Sequence, residues 1–526
     1  MKFFTVLATV SLFACATAAQ PPQTAETRKN EVDAMRAEAR TLIQQQHELA
    51  YRAWANGDEV NLSETYRGHE KLFSVESAQR LLTALNDAHE PDFARAVRYL
   101  RRYILSQIVQ RELSALTDQI EAIQSQETFA LDGQVIPYPQ LQTRLANEAD
   151  PTQRRRLYEA AAAVAAKLNG VHEQLDKKVR DVAHDLGFAS ELELASELRG
   201  IDVSTLEKTA RALLDQTDAM FITMLHQVAT TQVGLDVDKL HPADNPRLLR
   251  TSRFDASFPD LAELSTLQST LMGMGLRLES VPSLRIDGQK RPKKNPVPFT
   301  FPVVVPNDIR LSYVPRSGVI AYQNLFHEVG LGMMYAGTTT PWFEFNELGS
   351  RTVSETYGFT LQRLLSQPEW VKSNLPRLPT GEQKEYLRLQ SLRQLFVARR
   401  FAAKILFELA LHSGQAADPA KLYQNLLSRA YGYRVDDAAA LRWSLDHDPL
   451  FESADVFRAW LLEAMLDASL ENSLGDRWFE RKESGERLRA LWAQGLKPTP
   501  EEVATQLHAS GIDCSAFIAR LKRRLQ

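Results

Sequence analysis

The sequence predicts a mainly helical protein with one short β-rich insertion, and three observations carry that prediction. From Thr24 to about Thr231, apolar residues recur at three- and four-residue steps in a background of Ala, Leu, Glu, Arg and Gln, the pattern of amphipathic helices. Strand-like sequence is confined to roughly 284–318, LRIDGQKRPKKNPVPFTFPVVVPNDIRLSYVPRSG. After Ser317 the helical periodicity resumes and runs to the C-terminus.

Taken in order, the chain begins MKFFTVLATVSLFACATAAQPPQ: one lysine, an apolar run from Phe3 to about Ala16, then small residues suited to cleavage near Ala18 or Ala19. That is the layout of a secretory signal over 1–19, and it predicts an exported chain, periplasmic or secreted. A second reading takes Leu12-Phe13-Ala14-Cys15 as a lipoprotein cleavage box with Cys15 bearing the lipid; Cys514 is the only other cysteine, so no intrachain disulfide is expected. Residues 20–240 read as an N-terminal helical region and 241–526 as the region that carries the chemistry. Asp150-Pro151-Thr152-Gln153 and Ser204-Thr205-Leu206-Glu207 read as helix starts, the second opening a helix toward His226, and Thr499-Pro500-Glu501-Glu502 as another. FTFPVVV and DIRLSYV read as short strands that their prolines confine to edges or strand ends.

At 526 residues, 44% hydrophobic and 24% charged, the composition is globular and long enough for a two-lobed body. The net charge of −4 gives no basic field for nucleic acid, and the loop Lys290, Arg291, Lys293, Lys294 reads as a solvated turn. Beyond the leader no apolar run approaches the length of a membrane span.

The chemistry centres on FHEVGLGMMYAGTTTPWFEFNELGSRTVSETYGFTLQRLL, 326–365. His-Glu-x-x-His places two imidazoles one helical turn apart with the glutamate beside them as general base. His327 and Glu328 fit, but the second imidazole position holds Leu331. Glu355 follows His327 by 28 positions, enough for the first helix to end, the chain to turn at Gly337 to Pro341, and a second helix to return alongside. A bare His-Glu pair says little, since His47-Glu48 is another.

With Glu355 at that spacing, the chain resembles the helical zinc oligopeptidases: thimet oligopeptidase, oligoendopeptidase F and, more distantly, angiotensin-converting enzyme. The upstream KRPKKNPVPFTFPVVVPNDIRLSYVPRSG is similar to the segment and edge strand before their zinc helix, and DPLFESADVFRAWLLEAML to the opposite wall of their cleft. The resemblance implies a two-lobed zincin-like fold with a small sheet beside the active-site helix and a deep central channel, in which peptides align along the edge strand. It implies zinc on His327 and Glu355 and Glu328 as general base; His447 matches the transition-state histidine within a residue and reads equally as a loop or capping histidine. Leu331 has no lone pair to offer, and Val456 and Phe457 stand where the family's oxyanion tyrosine is sought; no tyrosine follows Tyr433. The expectation is a zinc site that is lost or weak and an impaired, peptide-binding pseudopeptidase, the alternative being an active metallopeptidase with a substituted ligand. Glu344, Glu347, Asp446 and His447 are the candidate substitutes, each otherwise expected as a solvated surface group. A metal-free cluster of His327, Glu328 and Glu355 with Arg351 is a further expectation, with one carboxyl pKa raised.

Overall fold

The helical periodicity is realised, in a computed structural model that describes residues 25–446, 448 and 450–525, as 22 α-helices and two small sheets among the described residues. The leader and Cys15 lie outside the described residues. Asp150 caps the helix Pro151–Ala160 by accepting the Thr152 N–H at 2.8 Å, and Thr499 and Glu502 form a reciprocal capping box at Pro500–Gln506. At the next expected start the structure differs. Asp202, not Ser204, caps the helix Val203–Val233, accepting the Thr205 N–H at 2.6 Å. Aspartate ranks with serine as a cap and its charge also suits the helix dipole, so the helix begins earlier.

A hairpin interrupts the N-terminal helices where none was expected. Strands β1 (Thr128–Leu131) and β2 (Gln134–Pro137) pair antiparallel across Asp132-Gly133, with φ of +51° and +79°. A two-residue turn with positive φ at both positions is what Asp-Gly favours.

Six helices position the candidate site: α1 (Ala25–Asn56), α2 (Val319–Gly337), α3 (Arg351–Leu364), α4 (Thr380–His412), α5 (Glu452–Leu474) and α6 (Ser515–Leu525). Beside α2 lies a three-stranded sheet of β3 (Leu284–Asp287), β4 (Phe299–Val304) and β5 (Asp308–Ser312), in the order β3-β5-β4. β3 runs parallel to β5 and β4 antiparallel to it. Pro302 sits in the edge strand, where its missing N–H costs no ladder bond, while β5 is central and ends before its proline, Pro315. The largest apolar core reaches from Ala195 to Leu521 and takes residues from both sides of residue 240, including Phe221, Phe326, Trp370 and Leu461.

The basic loop is only partly solvated. Lys294 is buried, pairs with Asp287 at 3.0 Å and donates to the Gln289 carbonyl at 3.1 Å; Arg291 also pairs with Asp287 and donates to the Ala55 carbonyl at 3.0 Å. Two of the four cations therefore tie the loop to β3 and α1, because an aspartate and unpaired carbonyls await them inside. No helix among the described residues is long and apolar enough to cross a membrane.

Candidate functional site

Glycine sets how closely α2 and α3 approach. A Cβ on Gly330 would stand 2.6 Å from the Tyr357 carbonyl oxygen and 2.9 Å from Gly358 Cα, and one on Gly358 would meet the His327 ring at 2.7 to 2.9 Å. With both side chains absent, α3 lies against α2 and brings Glu355 to His327. Their Nε2 and Oε2 are 3.1 Å apart, and the side chains are 14% and 12% exposed. A carboxylate only accepts, so His327 Nε2–H is the donor. Arg351, one turn before Glu355, donates from Nε to Oε1 at 3.0 Å. His327 Nδ1 is buried with no hydrogen-bond partner, and the ring lies 4.7 Å from that of Phe359.

Glu328 faces the sheet. Its Oε2 accepts the Thr300 N–H at 2.8 Å, and Thr300 Oγ1 donates to the Glu328 carbonyl at 2.8 Å. In an antiparallel pair alternate residues turn their backbone groups away from the partner strand, and on β4 these are Thr300 and Pro302. The outward Pro302 carbonyl accepts from His47 Nδ1 at 2.8 Å, and just before the strand the Val297 carbonyl accepts from Trp54 Nε1 at 2.9 Å. The second His-Glu pair is thus a clasp: His47 holds β4, and Glu48 pairs with Arg310 of β5 at 2.7 Å.

The two carboxylates separate electrostatically. Burial pushes Glu328 up, with the Glu355 charge adding to the effect. Burial acts on Glu355 in the same sense, but hydrogen bonds and charge from His327 and Arg351 outweigh it and hold the group below its usual value.

Zinc is tested against this donor set. A separation of 3.1 Å suits two ligands sharing one zinc at ~2.0–2.1 Å. The set stops there: Leu331, half-buried one turn beyond His327, contributes no lone pair, and Arg351 already occupies the other Glu355 oxygen. Two protein donors do not make the three of a catalytic zinc site, so the residues do not fit the metal. Among the described residues no group of three His, Cys, Asp or Glu is arranged to hold one.

The candidate substitutes lie elsewhere. Glu344 is fully buried and paired with Arg36, and Glu347 is 4% exposed, 3.8 Å from His47 Nδ1. Both, like Asp446, which is only 12% exposed, were expected on the surface; the short helix Phe343–Glu347 instead inserts between α1 and the helix Pro91–Gln126, which its apolar Phe343 and Phe345 require. Asp446 is held by Arg400 and by Tyr423 Oη at 2.8 Å, lining a separate cavity of ≈ 510 Å³. His447 lies outside the described residues. At the expected tyrosine position, Phe457 points into the core and Val456 is half-buried. The aromatic that reaches the site from α5 is Trp460, 5.8 Å from Phe359.

Sequence reasoning did not single out Thr300, Gln323, Phe359, Arg363, Arg393 or Trp460. Gln323 and Phe359 carried a signal, each being one helical turn from a residue already chosen. Arg393 and Trp460 carried none, because only the fold brings α4 and α5 to this place.

Burial raises Glu347 to about 8. The folded state therefore binds the extra proton between the unfolded value near ~4.3 and about 8, and stability falls as pH rises through that window. Glu347→Gln will remove that loss. Its unfolding free energy from urea titration at pH 9 will exceed the parent's, by an amount bounded at about 5 kcal/mol, and the two will converge near pH 4.

No known protein-family model matches the chain, and no curated protein matches it.

Proposed function

We propose that this is an exported binding protein on the two-lobed scaffold of the helical zinc oligopeptidases, which takes short peptides into the cleft beside His327 without hydrolysing them. The observation that carries the reading is the closed ladder of His327, Glu355 and Arg351 with Leu331 beside it. The residues that match zinc ligands are bonded to each other and to a cation, and the missing donor has no replacement among Glu344, Glu347 and Asp446. Glu328, which matches the general base, is tied to β4. The same ties change where a peptide lies. With the Thr300 N–H and the Pro302 carbonyl of β4 already bonded, strand addition along that edge is opposed, and the cavity against Phe359 is the seat that remains.

The test is hydrolysis of a quenched-fluorescence peptide library by the parent and by Glu328→Gln after equilibration with zinc. The expected result is no cleavage by either, with peptide binding retained in both. Chelator-sensitive cleavage that Glu328→Gln abolishes would overturn the reading. It would support the second one, an active metallopeptidase with a substituted ligand, for which the 3.1 Å approach of His327 to Glu355 is the favouring observation.

A further inference from the structure

One turn before His327 on α2, and continuing past Phe359 on α3, a cavity of ≈ 170 Å³ opens between α2, α3, α4, α5 and α6. It is smaller than the ~300–1,000 Å³ of a drug-sized site, so it admits one residue or a molecule of that size. Its lining divides by chemistry. Phe359, Trp460 and Phe517 supply its aromatic lining, and Arg363 and Arg393 with the amides of Gln390 and Gln394 supply its polar lining.

The polar side is incompletely satisfied. Arg393 has no carboxylate within ion-pair distance among the described residues, although burial pushes its pKa down. Arg363, 9% exposed, reaches Glu463 only at 3.4 Å, and that carboxylate is already held by Arg520 at 2.7 and 2.8 Å. Burial lowers Arg363 to about 10, and an arginine stays cationic at neutral pH. Behind the cavity Arg524 adds a further cation beside the same acids, Glu463 and Asp467, and its Nη1 has no partner. The region therefore holds more guanidiniums than carboxylates, and charge removed from water in that imbalance calls for an anion.

The amides specify the anion further. Gln390, 1% exposed, accepts from Gln323 Nε2 at 3.0 Å and leaves its own Nε2 donor without a partner. Gln394 donates to Ser366 Oγ at 2.8 Å and leaves its Oε1 acceptor without one. Two guanidiniums and an amide donor answer a carboxylate; an unpaired carbonyl answers an N–H; three aromatic rings answer an apolar side chain. A carboxylate, an N–H and a side chain on one carbon are the C-terminal residue of a peptide.

We propose that this cavity binds the C-terminal residue of a peptide, its carboxylate between Arg363 and Arg393 with Gln390, its N–H on Gln394 and an apolar or aromatic side chain against Phe359, Trp460 and Phe517. The proposal rests on the peptide-binding reading and names the end of the peptide that is recognised. A free aromatic acid presents the same carboxylate without the N–H, so the two sources are separable.

Isothermal titration of the full chain with acetyl-Ala-Ala-Phe, its C-terminal amide and 3-phenylpropionate tests it. The expected order is acid at least ~10-fold tighter than amide, as the loss of one charge-assisted contact implies, with phenylpropionate weaker than the acid. Arg393→Gln will weaken the acid more than the amide and so reduce the preference for acid over amide at least several-fold. Gln390→Leu, which keeps both arginines, will weaken the acid, and thermal melts of both variants check folding. Equal binding of acid and amide, binding of neither, or phenylpropionate binding as tightly as the peptide acid overturns the proposal. Cleavage of the peptide would defeat the non-hydrolytic reading and leave the preference for acid over amide standing.

Discussion

Leu331→His will hold zinc through dialysis that strips it from the parent chain. The number of ligands decides this outcome. In the parent, His327 and Glu355 are 3.1 Å apart, but a metal there would have two protein donors. An imidazole at 331 sits one turn along α2 from His327, the spacing at which two side chains share a helical face, and completes a set of three. Removing even a residue that only orients a ligand costs ~10- to 100-fold in metal affinity, so restoring a ligand should raise affinity by at least as much. Arg351 opposes this by holding the other Glu355 oxygen, so Leu331→His combined with Arg351→Ala will bind more tightly than Leu331→His alone. Metal content by emission spectroscopy after dialysis is the measurement. If the single and double variants both emerge metal-free, α2 and α3 do not retain the geometry of a zinc site, and the resemblance to the oligopeptidases loses its main support.

The second large effect is mechanical. Gly330→Ala will destabilise the protein by about 1–3 kcal/mol, the range for overpacking a closed interface, and urea denaturation will show the midpoint shift. The new Cβ would stand 2.6 Å from a backbone oxygen and 2.9 Å from a backbone carbon of α3, neither of which can turn aside as a flexible side chain does. Relief requires the helices to separate, which also lengthens the approach of His327 to Glu355. Gly358→Ala differs, because the obstacle is the His327 ring itself. It will perturb the imidazole before the fold, and His327 ring resonances followed by NMR will report it. If Gly330→Ala melts with the parent, the close crossing is not what holds α2 and α3 together.

Helical character and the place of the larger sheet were legible in the sequence, because both rest on periodicity and on proline, which act locally. The meeting of His327 with Glu355 was legible too, through a spacing long enough for a turn and a returning helix. The hairpin at Asp132-Gly133 was missed although its turn was written plainly; the strands beside it are four residues each, too short to break the helical texture around them. Glu344 and Glu347 were misread for another reason. A carboxylate between two helices looks like surface until Phe343 and Phe345 beside it drive the segment inward. Arg393, Gln390 and Trp460 meet at one cavity from α4 and α5, and local pattern holds no trace of such a meeting.

The clasp between α1 and β4 joins residues 255 positions apart, His47 to the Pro302 carbonyl. Until α1 docks, β4 is an uncovered strand bearing Phe299, Phe301 and Val303, and uncovered strands of that composition recruit other chains. The contact also closes a long loop, whose entropic cost precedes any gain from it. A chain emerging in order must keep α1 unpaired while more than two hundred residues follow, then return it to the sheet. Conditions that delay this return, such as a weakened His47 or Trp54, will therefore show first as aggregation during refolding, before any loss in the stability of the finished protein.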